Sequence, residues 1–538
     1  MSDFTATIAG AYATDLPALD LGRAVHEGAV VAQAPVKLPL RMVNRHGLIA
    51  GATGTGKTKT LQGLVEQLSA AGVPSVVADV KGDLSGLRDP GAADGPAPAR
   101  QAELGLPFAP TGYPVELFSI GGIGPGVPIR ATLSDFGPQL LGKILEANEV
   151  QEQSLQLVFH YADTKGLPLL DLSDLRALLT FLDSDDGKPE LAGIGGLSAA
   201  TVGVLLRAMV GLEIGGGTEF FGEPQLDISD LLRVAPDGRG IVSCLELPAV
   251  QDKPALFSTT LMWMLAELFE TLPEVGDLDK PKLVFFFDEA HLLFKGATPA
   301  FIDSVVQTVR LIRSKGVGIF FITQTPKDVP GEILGQLGNR IQHALRVFTP
   351  DDEKALSSTV KTYPKSEFYD VAELLTSVGT GEAAVTILSA KGTPTPVVHT
   401  RLPAPASRMA PTDDVAAAAA ASPLMAKYGT RVDSQSAREM LSARLEESAR
   451  LQAAEAEQKA QARREKVDGA AAAPAAAEAA APAPAAPKPA AAAKHDHKKA
   501  AEVAGGGAGA VGAFLKSPQG RALIRDVGRG VFGMLKKK

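Results

Sequence analysis

The chain is 538 residues long, enough for two or three domains around a large core. Hydrophobic residues make up 45% and aromatics only 5%, and 53 Lys and Arg stand against 61 Asp and Glu for a net charge of −8. This excludes a chain that holds nucleic acid by overall basic charge, so any DNA contact has to be a local patch such as a pore loop. The single cysteine, Cys244, excludes an intramolecular disulfide and a cysteine-built zinc site; it reads as a buried strand residue in a reducing compartment. The N-terminus has no basic region followed by an apolar core, and no apolar run approaches the ~18 residues of a bilayer span. The expected location is therefore cytoplasmic.

Residues 1–35 read as a short N-terminal segment that adds a strand or two, and 36–43 as a strand leading into the next one. Then comes Gly51-Ala52-Thr53-Gly54-Thr55-Gly56-Lys57-Thr58, a match to G-x-x-x-x-G-K-[ST]. An apolar run (Leu48, Ile49, Ala50) precedes it, and Leu61, Leu64, Val65 and Leu68 follow at helical spacing. Strand, glycine loop and helix form the setting of a phosphate-binding loop, in which backbone N–H groups and the helix end cradle the anion. Lys57 is expected on the β- and γ-phosphates of ATP, and Thr58 on Mg2+. Residues 73–79 form a buried-type strand ending in Asp79-Val80-Lys81-Gly82-Asp83, which arrives on the same sheet edge. A surface turn with a local Lys–Asp pair is the alternative there.

Residues 88–128 are rich in Gly and Pro, with a strand at 114–119. From 134 to 235 the pattern is helical, with Ser173-Asp174 and Ser198 as helix starts. His160, among apolar helical residues, reads as a core histidine. The sheet resumes at 240–247, and a long apolar helix over 254–272 carries Trp263. The run Leu283-Val284-Phe285-Phe286-Phe287 then ends in Asp288-Glu289. A buried strand ending in two acids is the second half of a nucleotide site, with Asp288 serving the metal and Glu289 the attacking water. The strand 318–323 ends at Gln324, which places an amide near the γ-phosphate. Arg340 and Arg346 flank another strand, and either can serve as an arginine finger or pair with a surface carboxylate. Strands at 383–388 and 397–402 close the core.

These motifs resemble the HerA/FtsK-type P-loop ATPases, most closely the bacterial HerA-like, helicase-related family of undefined function. The likeness rests on residues 43–60, Asp79-Val80-Lys81-Gly82-Asp83, Phe287-Asp288-Glu289-Ala290-His291, Ile322-Thr323-Gln324 and 338–346, and it covers about 36–402. It implies a RecA-like α/β fold, with a mainly parallel sheet flanked by helices (36–133 and 236–402) and a helical insertion (134–235); the composition beyond 402 adds a helical or disordered C-terminal tail. It also implies a hexameric homo-oligomer that spends ATP on moving DNA or protein, with Gln324 sensing the γ-phosphate and Arg340 or Arg346 acting across the interface. HerA itself carries an N-terminal β-barrel that docks a nuclease, for which 35 residues leave little room.

The tail divides into a linker (403–433), an exposed helix or weak coiled coil (434–467), an Ala/Pro-rich linker (468–512) and a basic amphipathic end (513–538). In that end Lys516, Arg521, Arg525, Arg529, Lys536, Lys537 and Lys538 stand against Asp526. It suits the inner face of a membrane, a partner groove or docking on its own ring. Two function classes follow: a ring motor translocating a polymer, DNA before protein, or a nucleotide-gated scaffold or membrane-associated switch.

Overall fold

The computed structural model describes residues 2–471, apart from 192 and 295–298. It contains a 12-stranded sheet built from β1 (Ala18–His26), β2 (Ala29–Pro39), β3 (Gly47–Ala50), β4 (Ser75–Asp79), β5 (Val115–Ile120), β6 (Val127–Ile129), β7 (Val242–Glu246), β8 (Leu283–Phe287), β9 (Val317–Thr323), β10 (Asn339–Gln342), β11 (Glu382–Thr386) and β12 (Val398–Arg401). Their spatial order is β2-β1-β12-β11-β10-β3-β9-β8-β4-β7-β5-β6. From β10 to β6 all pairs are parallel; from β11 to β2 they are antiparallel.

The parallel part is apolar on both faces because helices cover both. Strands β3, β4, β7, β8 and β9 are buried at every position. Alternation then assigns each residue to one of two cores. Phe285, Phe287 and Phe321 belong to one, and Phe286, Phe320 and Ile322 to the other. Ring pairs Phe287–Phe321 (5.4 Å) and Phe286–Phe320 (5.3 Å) bind β8 to β9 on opposite faces.

Several expectations need correction. Residues 1–35 are not a segment apart, since a boundary at 35 falls inside β2. The helix Ser2–Tyr12 buries Phe4, Ile8 and Tyr12. The Tyr12 hydroxyl donates toward the carbonyls of Val385 (3.0 Å) and Pro396 (2.7 Å). The strand expected over 36–43 is the end of β2 followed by a 3-10 turn, Leu40–Arg45. Within the insertion, helices Leu133–Ile144, Glu149–Lys165, Leu172–Asp183 and Ala199–Leu212 lie between β6 and β7. The third is capped by Asp171, which accepts from the N–H groups of Ser173 and Asp174, rather than by Ser173-Asp174. His160 is exposed, because the buried stripe of its helix runs through Leu155, Val158, Phe159 and Ala162. Helical residues Ala199–Phe220 are also long and apolar enough, by length and composition, to cross a membrane, contrary to the sequence expectation. In this fold Val202, Leu205, Met209, Leu212 and Phe220 face the protein core.

A further correction concerns 403–433, which is a docked strap and not a linker. Glu66, a buried carboxylate on the helix Lys57–Ala70, accepts from the N–H groups of Ala406 (2.8 Å) and Ser407 (2.9 Å) and from the Ser407 hydroxyl. Gln62 donates to Ser407 Oγ (2.6 Å) and the Arg408 carbonyl (2.9 Å). Farther on, Tyr428 is fully buried. Its hydroxyl accepts from the Asp227 N–H (3.0 Å) and donates to Asp230 (2.6 Å). The helix Ala437–Ala471 then starts on the insertion, with Ala437 N–H donating to the Pro168 carbonyl (2.9 Å) and Leu441 buried. Residues 449–464 of this helix are exposed. The chain falls into two compact units, 1–457 and 458–538, and the described part of the second is the end of this helix. The expected linker 468–512 lies outside the described residues beyond 471, and the basic end 513–538 lies wholly outside them.

If the strap is integral, Tyr428→Ala lowers the free energy of unfolding by about 3 kcal/mol in urea titrations. Leu451→Ala, on the exposed helix, changes it by less than about 0.5 kcal/mol. Equal small effects would mean that the strap contributes nothing.

Candidate nucleotide site

The glycine loop leaves β3 at its carboxyl end and turns into the helix Lys57–Ala70. Gly54 (φ 79°) and Gly56 (φ 110°) take left-handed backbone that a side chain would strain. At Gly51 (φ 152°) space is short as well, because a Cβ there would lie 2.5 Å from His343 Cβ. His343 is buried behind the loop, its Nε2 is 3.0 Å from Thr60 Oγ1, and burial, then the charge of Lys57, pulls its imidazole down to about 4. It is therefore a neutral wedge at pH 7. Lys57 Nζ donates to the carbonyls of Gly51 (2.6 Å) and Ala52 (3.1 Å). Thr53 and Gly54 are exposed at the loop tip, Thr55 is tied to the Ala52 carbonyl, and Thr58 is half-buried in the first helical turn.

β9 separates β3 from β8 and sets the register: Ala50 pairs with Thr323, and Phe321 with Phe287. On the far side of β8, Ala78 pairs with Phe287 and Asp79 with Glu246. Asp79, Glu246 and Asp288 thus end three neighbouring strands at one level. Each is buried, and each carboxyl is pushed up to about 7, foremost by burial. For Asp288 the next cause is the charge of Glu289, and for Asp79 that of Glu246. Asp79 is satisfied by the N–H groups of Lys81, Gly82 and Leu84. Asp288 Oδ2 is buried without a hydrogen-bond partner.

Glu289 behaves differently from its neighbour. Burial opposes its charge, but Lys81, His291 and Lys57 outweigh burial and hold the carboxyl below the ordinary range. Lys81 Nζ lies 2.5 Å from Glu289 Oε1. Lys57 feels burial first, which lowers it, and then Glu289, which raises it, so glycine loop and acidic pair form one electrostatic unit.

This set fits a phosphate and a divalent cation. The loop is shaped for close backbone approach, a lysine rests on loop carbonyls, and Asp288 offers a buried acceptor that a cation would satisfy. A model for the HerA-like helicase C-terminal family matches residues 25–538. The chain belongs to that family. Among solved structures, this HerA-like chain is similar to the bacterial conjugative coupling protein TrwB lacking its first 70 residues (16% identity, TM-score 0.50, 76% of this chain and 94% of that one). It is also similar to VirB4 of Thermoanaerobacter pseudethanolicus (15% identity, TM-score 0.47, 72% and 97%). A search of curated proteins finds no match. The TrwB likeness bears on the fold alone and agrees with the RecA-like sheet.

The structure separates the remaining candidates. Gln324 is exposed and lines two adjoining depressions, one of about 320 Å³ with Ala52, Thr53, Arg346 and Phe348, the other with His291 and Asp328. Arg346 thus stands beside its own glycine loop. Arg340 does not join it. Its guanidinium donates to Thr362 Oγ1 (2.7 Å) and lies over the Tyr363 ring (5.8 Å), in a separate cavity of about 470 Å³. Sequence reasoning gave Lys81 no role beyond its place on the edge and did not single out His343, Thr60 or Glu246. The available signal was polar residues placed among buried strand and helix positions.

The shift of Glu246 has a consequence for stability. Between its ordinary value of 4.5 and about 7, the folded chain holds a proton that the unfolded chain has released. Its contribution therefore falls as pH rises through that window and levels off above it. Glu246→Gln should raise the free energy of unfolding relative to wild type at pH 8 by on the order of 2 kcal/mol, and the gap should close at pH 5. A gap independent of pH would contradict the assignment.

Proposed function

We propose that this chain is an ATP-hydrolysing motor of the HerA-like type, working as a homo-oligomeric ring on DNA. The observation that carries the ATPase reading is the meeting of the Lys57 loop with Asp288 and Glu289 at one sheet edge. Gly51 to Gly56 and Lys57 would bind the phosphates, and Thr58 and Asp288 would hold Mg2+. The metal would neutralise charge on the phosphate oxygens. Glu289 would take a proton from water as the water oxygen bonds to the γ-phosphorus and the bond to the β–γ bridging oxygen breaks, giving ADP and phosphate.

Gln324, which shares a depression with Ala52 and Thr53 of the loop, would orient water or sense the γ-phosphate. Of the two arginines, Arg346 is the better candidate for contact with the phosphates, since Arg340 is committed to Thr362 and Tyr363. DNA and the ring rest on family membership.

Lys57→Ala should abolish binding of a fluorescent ATP analogue. Glu289→Gln should keep that binding while turnover falls on the order of a hundredfold or more. DNA should raise wild-type turnover. Hydrolysis indifferent to DNA would favour a nucleotide-gated switch over a motor, and full turnover in Glu289→Gln would remove that residue from the chemistry.

A further inference from the structure

We propose that Lys81 is a positioning residue for Glu289: it anchors one carboxylate oxygen so that the other is left to accept the proton of the attacking water. The inference rests on the ATPase reading and adds a residue to that site.

The two oxygens of Glu289 have unequal surroundings. Oε1 is 2.5 Å from Lys81 Nζ. Oε2 is buried without a hydrogen-bond partner, with His291 Nδ1 at 3.2 Å. A buried acceptor left in that state is costly in a resting protein and is suited to a proton that arrives during reaction. Glu289 also has φ 47°, a left-handed backbone uncommon for a residue with a side chain. Such a conformation persists where its surroundings hold it.

Lys81 is held from below as well. Asp79 gathers the N–H groups of Lys81 (3.2 Å), Gly82 (2.7 Å) and Leu84 (2.7 Å), and Gln251 donates to the Val80 carbonyl. The lysine is therefore rooted in a fixed turn between two strand ends, and its own side chain is 47% exposed while that of Glu289 is 9% exposed. An ion pair wholly at the surface would matter little. Here removal of the cation leaves a nearly buried carboxylate with only His291 and then Lys57 as neighbours that favour its charge, and it frees Oε1 from its anchor. In the reaction the water O–H bond breaks toward Oε2 and the water oxygen bonds to the γ-phosphorus. The electron pair of the bridging bond leaves with ADP. Lys81 itself exchanges nothing.

The test uses the full chain as wild type, Lys81→Met, Lys81→Arg, Glu289→Gln and the Lys81→Met/Glu289→Gln double variant. Steady-state kcat and KM are measured together with the affinity for a fluorescent ATP analogue and with Tm. Lys81→Met should lower kcat about tenfold or more. Affinity should stay within about threefold, and Lys81→Arg should recover most of the rate. The double variant should be no slower than Glu289→Gln alone, because the lysine acts through that carboxylate. Full turnover in Lys81→Met, a loss confined to affinity, or a further multiplicative loss in the double variant would each overturn the proposal. A hydrolysing wild type with an unimpaired Lys81→Met overturns this inference alone. A wild type that binds ATP and never hydrolyses it overturns the ATPase reading as well.

Discussion

Like charges buried side by side repel, and this fold buries Asp79, Glu246 and Asp288 at one level on three adjacent strands. Two devices make the arrangement tolerable. Backbone N–H groups satisfy Asp79, and lysines from two loops, Lys57 and Lys81, supply positive charge around Glu289 and Asp288. What is left over is a buried acceptor on Asp288, which a divalent cation with a triphosphate would complete. The parallel sheet is what imposes this, since all its strands point their carboxyl ends to one edge.

The helix behind the glycine loop links that edge to the rest of the chain. Its first turn carries Lys57 and Thr58, its apolar stripe packs on the sheet, and Gln62 and Glu66 fasten the strap of 406–408. The strap then reaches the insertion through Tyr428 and the start of the last helix. Phosphate loop, insertion and the start of the C-terminal helix are therefore joined by hydrogen-bonded groups within one unit.

The strands of the core were legible because a strand covered on both faces must be apolar throughout, as in residues 283–287 and 317–323. The glycine loop was legible because its spacing has a mechanical reason. The strap was hidden for the opposite reason: Ala- and Pro-rich sequence looks like a linker, and the carboxylate that holds it, Glu66, lies some 340 residues away and bonds to backbone. The sequence also left both arginines open. Only the fold shows that Arg340, two residues before the end of β10's pairing with β3, turns into a different cavity from Arg346. His160 was misassigned for want of a helical phase, which neighbouring apolar residues did not fix.

The central claim is that the glycine loop and the Asp288–Glu289 pair act on one nucleotide and its cation. The most direct measurement is the affinity of a fluorescent ATP analogue with and without Mg2+, for wild type and Asp288→Asn. The account predicts that Mg2+ tightens binding to the wild type, and that the substitution removes this tightening while binding without Mg2+ survives. Equal Mg2+ dependence in the two proteins would contradict it.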